Sequence, residues 1–126
     1  QQNYSAAAIY VAKAPWKKYK SRHGPEEVMI KNNKINGCFL GTNPIVLQPN
    51  EGGEVSVIDN VISYDLSCNK PSHDIVLTTN RRLFRTKRAT LILGNNQDTS
   101  NQNKKKASVL LDVRRSKFIN LIEDEE

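Results

Sequence analysis

Thiol and imidazole side chains are the groups in this chain best suited to nucleophilic or metal chemistry. The chain has two cysteines, Cys38 and Cys68, and two histidines, His23 and His73. No two of them show the C-x-x-C or H-x-x-x-H spacing that is typical of zinc sites. We therefore expect no metal site and no cofactor. We expect both cysteines to be free thiols in a reducing compartment, with a disulfide as the alternative.

A general acid–base pair could in principle form from His73 and Asp74, which are neighbours in the sequence. Adjacent residues on a strand point to opposite faces, so these two side chains are poorly placed to act together. The chain also has no phosphate-binding glycine loop, no zinc-protease motif and no nucleophile elbow. We predict no catalytic residue and interpret the protein as a binding domain that is not an enzyme.

The segment RRLFRTKR, residues 81–88, has five cationic side chains in eight positions. Neither face of a strand through it would be apolar, so we predict that it projects from the core as a strand end or hairpin. Cations on both faces could contact phosphates, and an aromatic ring between them could stack on a base. The predicted binding residues here are Arg81, Arg82, Phe84, Arg85, Lys87 and Arg88.

A second basic segment, the loop at residues 13–27, contains the sequence WKKYK. Aromatic rings next to cations are typical of grooves that bind single-stranded nucleic acid. The predicted binding residues here are Trp16, Lys17, Lys18, Tyr19, Lys20 and Arg22. For Trp16 the alternative is that its ring packs on the domain as an N-terminal latch.

The net charge of +6 is unevenly distributed, because residues 35–80 contain five acidic residues and a single cation, Lys70. Segregated charge attracts partners of the opposite sign. We predict sequence-nonspecific contacts with the phosphate backbone of DNA or RNA. The alternative is a protein-interaction module that docks an acidic or phosphorylated partner within a larger assembly. We expect an intracellular location, the nucleus included, and no membrane contact, since no apolar run approaches the length of a membrane span.

Most of the chain has the period-two alternation of half-buried strands. The run at residues 54–68 changes phase at Ile58–Asp59–Asn60, which indicates either a bulge or a turn between two strands. Short strands about ten residues apart, without a long helical pattern between them, predict an all-β or β-dominated α+β fold. We expect a small antiparallel β-sandwich or barrel with long polar loops, and we find no internal repeat.

The C-terminal stretch, residues 107–122, fits either a helix or two strands. Three lysines before it and four acids after it would oppose a helix dipole, so we favour two strands joined at RRSK. We expect one β-rich domain over residues 1–126, cut from a longer protein. Residues 95–106 are predicted to be a flexible polar loop, and residues 123–126 the start of an acidic linker.

Overall fold

The structure is a computed structural model that describes residues 6–11, 27–48, 53–78, 88–99, 105–112 and 119–124. In these residues the chain forms twelve strands and no helix. Accordingly, the described part of the chain contains no helix long and apolar enough to cross a membrane. The prediction of a β-dominated chain is confirmed.

The strands form three sheets of four strands each. Sheet A, in the order β1-β4-β7-β11, contains Ile9–Val11, Ile45–Leu47, Ile75–Thr78 and Val109–Asp112. Sheet B, in the order β2-β5-β8-β12, contains Glu27–Lys31, Glu54–Ile58, Ala89–Gly94 and Ile119–Asp124. Sheet C, in the order β3-β6-β9-β10, contains Lys34–Gly37, Val61–Tyr64, Gln97–Asp98 and Lys105–Lys106.

The chain visits sheets A, B and C in turn and then returns to sheet A, one strand further along; after β9 it first adds β10 to sheet C. Every described strand pair is parallel except β9 with β10, which is antiparallel. The architecture is therefore a three-sided parallel β-solenoid, in which each turn of chain stacks on the previous turn. The structural repeat between turns is a feature that our sequence analysis did not find.

The prediction of an antiparallel β-sandwich or barrel is wrong. It assumed that strands close in sequence pair with each other, as they do in hairpins. Here consecutive strands are separated by a corner and lie in different sheets, with the antiparallel pair β9–β10 as the exception. Each strand pairs instead with its counterpart one turn away, as Ile30 with Val57 or Ile62 with Asp98.

The core fills the space between the three sheets with one side chain from every second position. In sheet A, Ile45 and Leu47 point inward and stack on Ile75 and Leu77, and all four are fully buried. The other inward residues continue this cluster, which includes Ile30, Ile35, Phe39, Val55, Val57, Ile62, Tyr64, Ala89, Leu91, Leu93, Ala107 and Ile119. The alternation visible in the sequence therefore identifies the inward faces, even though the strand pairing differs from the prediction.

Sheet B joins sheet C through a corner of two residues in each of the first three turns. The first corner residue is left-handed in every turn: Asn32 has φ 59°, Asp59 φ 56° and Asn95 φ 53°. Asn and Asp adopt this conformation more readily than other residues with a side chain. The phase change seen at residues 58–60 is thus a turn between β5 and β6, not a bulge.

The second corner residue is asparagine in all three turns, and the amides of Asn33, Asn60 and Asn96 stack as a ladder. The Oδ1 of Asn60 accepts hydrogen bonds from the backbone N and the Nδ2 of Asn33, both at 3.0 Å. The Oδ1 of Asn96 accepts in the same way from Asn60, at 3.2 and 2.9 Å. The amide nitrogens also donate backward, from Asn60 to the Ile30 carbonyl and from Asn96 to the Val57 carbonyl. We call these three residues the asparagine ladder.

Two further segments can be compared with the sequence analysis. The C-terminal stretch forms β11 and β12 with residues 113–118 between them, so the two-strand prediction is confirmed. The segment predicted as a polar loop contributes β9 and β10, and its Asn96 and Asp98 are buried. Residues 100–104 of that segment lie outside the described residues.

Candidate functional site

The connections from sheet A to sheet B share one corner of the solenoid. The sheet A strands end side by side, since Val11 pairs with Leu47 and Leu47 with Leu77. The sheet B strands also begin in register, with Glu27 beside Glu54. Four connections therefore begin and end at stacked positions: residues 12–26, 48–53, 79–88 and 113–118. We call this set of connections the basic corner.

The charge of the basic corner is strongly one-sided. Thirteen of the 19 Lys and Arg residues lie in three of its connections, residues 12–26, 79–88 and 113–118. Only two of the chain's 13 acidic residues, Glu26 and Glu51, lie in any of the four connections. Since neighbouring strands are about 4.8 Å apart, the four connections start within about 14 Å of one another along the solenoid axis.

Both predicted binding segments belong to this corner. Residues 16–22 lie in the connection after β1, and residues 81–87 in the connection after β7, with β4 between those two strands. The side chains of both segments lie outside the described residues, including Trp16 and its alternative role as a latch. Arg88 is described and is exposed, directly before β8.

Sequence reasoning did not select three cations of the same corner. Arg114, Arg115 and Lys117 lie in the connection between β11 and β12, next along the solenoid to the connection that contains Arg88. The sequence analysis interpreted their segment, RRSK, only as the join between two strands. The signal that could have found them is a repeat of two-residue corners: Asn32–Asn33, Asp59–Asn60 and Asn95–Asn96. Aligning the chain on these corners would have placed the basic segments at equivalent positions of successive turns.

Other cations lie away from this corner. Lys31 and Lys34 flank the first turn of the asparagine ladder, and Lys105 and Lys106 form β10 at the edge of sheet C. All four are exposed. The Nζ of Lys106 lies 3.8 Å from a carboxylate oxygen of Glu123. These four lysines provide a charge-matched comparison for the basic corner.

The corner from sheet C to sheet A contains a buried polar cluster. The Asp74 carboxylate accepts a hydrogen bond from the Tyr64 hydroxyl, and it also accepts from the Ser108 backbone N at 2.9 Å. Ser108 Oγ lies 3.3 Å from the same carboxylate and 3.1 Å from the Asp74 backbone N. Because Asp74 and Tyr64 are buried, this cluster is closed to a substrate and acts to hold two turns together.

An ion pair and two aromatic contacts extend the cluster. Lys70 forms an ion pair with Asp98, which is buried, and its Nζ lies 5.6 Å from the centre of the Tyr64 ring. The Phe39 ring packs edge-to-face on Tyr64 with a centroid distance of 6.0 Å. His73 Nδ1 lies 2.9 Å from Ser72 Oγ, on the exposed side of the same connection. The histidine therefore shares no hydrogen bond with the buried carboxylate of Asp74.

The pKa of Tyr64 is raised well above its ordinary value, first by burial and then by its hydrogen bond to Asp74 and the charges of Asp74 and Asp98. A raised folded-state pKa means that the neutral phenol stabilises the fold fully below pH about 10 and that this contribution is lost as the pH rises further. We expect the free energy of unfolding to fall above pH 10 by up to about 1.4 kcal/mol per pH unit from this group.

The matched control for alkaline unfolding is Tyr64→Phe, which has no titrating hydroxyl. Denaturant unfolding of both proteins from pH 8 to pH 11 should show a steeper alkaline loss for the wild type. Parallel pH profiles would show that Tyr64 does not control the alkaline limit.

The two cysteines are joined, which corrects the expectation of free thiols. Cys38 follows β3 directly and Cys68 lies between β6 and β7, with a Cα–Cα distance of 5.7 Å across the disulfide. The bond links the first turn of the solenoid to the second. The alternative left open by the sequence, a disulfide, is the one that the structure contains.

Comparison with known proteins identifies no relative of this chain: no family model, no curated protein and no solved structure matches it.

Proposed function

We propose that the protein is a binding domain that contacts the phosphate backbone of nucleic acid through the basic corner. The observation that supports this proposal is the common origin of residues 12–26, 79–88 and 113–118 at one corner of a parallel solenoid. Strand ends that flank segments far apart in sequence are thereby stacked at one corner. Thirteen cations in connections that begin and end at one corner favour a polyanion over a partner with a single charge.

The dimensions of the corner also suit a nucleic acid. The four connections start within about 14 Å, which is the axial rise of about four base pairs of duplex DNA. The connections are of unequal length, with 15 residues between β1 and β2 and 10 between β7 and β8. Contacts with the phosphate backbone would be nonspecific for sequence and compatible with an intracellular location, including the nucleus.

A second candidate, a protein-interaction module, is favoured by a different surface. On the outer face of sheet A, Tyr10, Val46, Val76 and Leu110 lie in register across all four strands. Tyr10 and Leu110, at the two ends of the row, are exposed, whereas Val46 is half-buried and Val76 is buried. An apolar row on an outer sheet face is suited to contact with another protein, and the basic corner would then meet an acidic or phosphorylated segment of that partner.

Equilibrium binding of the wild-type chain to labelled oligonucleotides tests the first candidate. Single-stranded and duplex DNA and RNA should each bind at low salt, and log K should fall linearly with log salt concentration. Little difference is expected between oligonucleotides of equal length and different sequence. Absence of binding to all four at low salt would refute the nucleic-acid proposal and leave the protein-interaction module.

A further inference from the structure

The disulfide lies beside a carboxylate whose position is determined by the strand register. Gly37 pairs with Tyr64 across β3 and β6, so the next residues, Cys38 and Asp65, occupy equivalent places in successive turns. The backbone N of Asp65 donates to the Gly37 carbonyl at 3.1 Å. A tight turn then returns the chain, because the backbone N of Cys68 donates to the Asp65 carbonyl at 3.0 Å.

The register and the turn bring three potential metal ligands together. One sulfur or oxygen atom from each of Cys38, Asp65 and Cys68 lies within 4.8 Å of the other two. The Sγ of Cys38 is 3.5 Å from Oδ2 of Asp65. Cys38 and Asp65 are exposed and Cys68 is partly exposed, so both a reductant and an ion can reach the group.

The chemistry of this set of donors suits a soft divalent cation. Zinc takes thiolate and carboxylate ligands in tetrahedral geometry with Zn–S distances of about 2.3 Å, which places two sulfurs on one ion about 3.8 Å apart. That separation is within the span of the present group. Three protein ligands would leave the fourth position to water, as in zinc sites with an open position.

We propose that reduction of the Cys38–Cys68 disulfide creates a Zn²⁺ site formed by Cys38, Asp65 and Cys68. A dithiol reductant transfers two electrons and two protons to the disulfide and is itself oxidised to a disulfide, leaving two thiols on the protein. Zn²⁺ then replaces the two thiol protons, which pass to water, and binds both thiolates and the carboxylate. The first and second turns of the solenoid are therefore cross-linked in both redox states.

This inference is independent of the nucleic-acid proposal, and it is consistent with an intracellular protein. Cytosolic and nuclear thiols are kept reduced, so a disulfide alone would not persist there. A thiolate site that binds zinc would preserve the same link under reducing conditions. In an oxidising compartment the disulfide would take its place.

The test measures zinc binding by the full chain. The chain is first reduced, and the reductant is then removed under anaerobic conditions. Competition with a chromophoric chelator should give one Zn²⁺ per reduced chain and none per oxidised chain. Cys38→Ser and Cys68→Ser should each abolish this binding. Asp65→Asn should weaken it by about tenfold or more, since even the outer partners of metal ligands contribute that much. Asp59→Asn, which removes a carboxylate from a corner without cysteines, should bind as the wild type does.

Substitution with Co²⁺ gives a direct view of the ligands, because thiolate ligation produces an intense charge-transfer absorption. We expect that absorption in the reduced wild type and its loss in Cys38→Ser. Zinc binding no tighter in the reduced wild type than in Cys38→Ser would overturn the proposal, as would an Asp65→Asn variant with unchanged affinity. If reduction unfolds the chain, zinc should restore the β-type circular dichroism spectrum, and failure to restore it would equally overturn the proposal.

Discussion

Replacement of Asn60 by alanine is expected to lower the free energy of unfolding by about 3–4 kcal/mol. Asn60 is the central member of the asparagine ladder and is fully buried. Its side chain accepts two hydrogen bonds from Asn33 and donates to Ile30 and Asn96. Alanine removes all four bonds and leaves buried polar groups without these partners, each of which costs about 1–3 kcal/mol before relaxation.

The matched control is Asn36→Ala, the same substitution on the outer face of the neighbouring strand β3, where the side chain is exposed. It should change stability by no more than about 0.5 kcal/mol. Denaturant unfolding followed by circular dichroism measures both values. Equal and small effects of the two substitutions would mean that the amides do not form a ladder and that the corner between sheets B and C is wrongly described.

The existence of the strands was predictable because alternation is a local signal. Val55 and Val57 point inward, and so do Ile62 and Tyr64, as the period-two pattern indicates. The corner between them was visible as a phase change at Asp59 and Asn60. Each of these inferences needs only a few consecutive residues, and each agrees with the structure.

The pairing of the strands was not predictable in the same way, because it is non-local. Asn33 contacts Asn60, 27 residues later, and Asn60 contacts Asn96, 36 residues later. The unequal spacing hides the repeat, and a two-residue Asn or Asp corner resembles an ordinary turn signal. The short distance between successive strands therefore suggested hairpins, and with them an antiparallel sheet.

The candidate site was predictable only in part, for a related reason. The charge in residues 12–26 and 79–88 is a local property, and the sequence analysis identified it. That the connections containing these segments and the connection containing Arg114 and Arg115 begin at one corner depends on the stacking of sheet A and sheet B strands. The contact between Cys38 and Cys68 likewise depends on the pairing of Gly37 with Tyr64. Neither follows from spacing along the chain.

The second large effect is on the salt dependence of DNA binding, which should depend on where in the fold the cations lie. Two variants that lose the same total charge at different places isolate this dependence. The corner variant changes four arginines of the basic corner to glutamine: Arg85, Arg88, Arg114 and Arg115. The control variant changes four exposed lysines elsewhere to glutamine: Lys31, Lys34, Lys105 and Lys106. Both lower the net charge by four, so a response to total charge alone would be the same in both. Circular dichroism and thermal unfolding should first confirm that both variants fold as the wild type does.

The most direct measurement is the slope of log K against log salt concentration for duplex DNA, determined for the wild type and both variants. Each lost phosphate contact lowers the magnitude of that slope by about 0.9. We predict a decrease of about 3–4 for the corner variant and of less than about 1 for the control variant. Equal decreases in the two variants, or no decrease in the corner variant, would contradict the claim that the basic corner is the surface that binds nucleic acid.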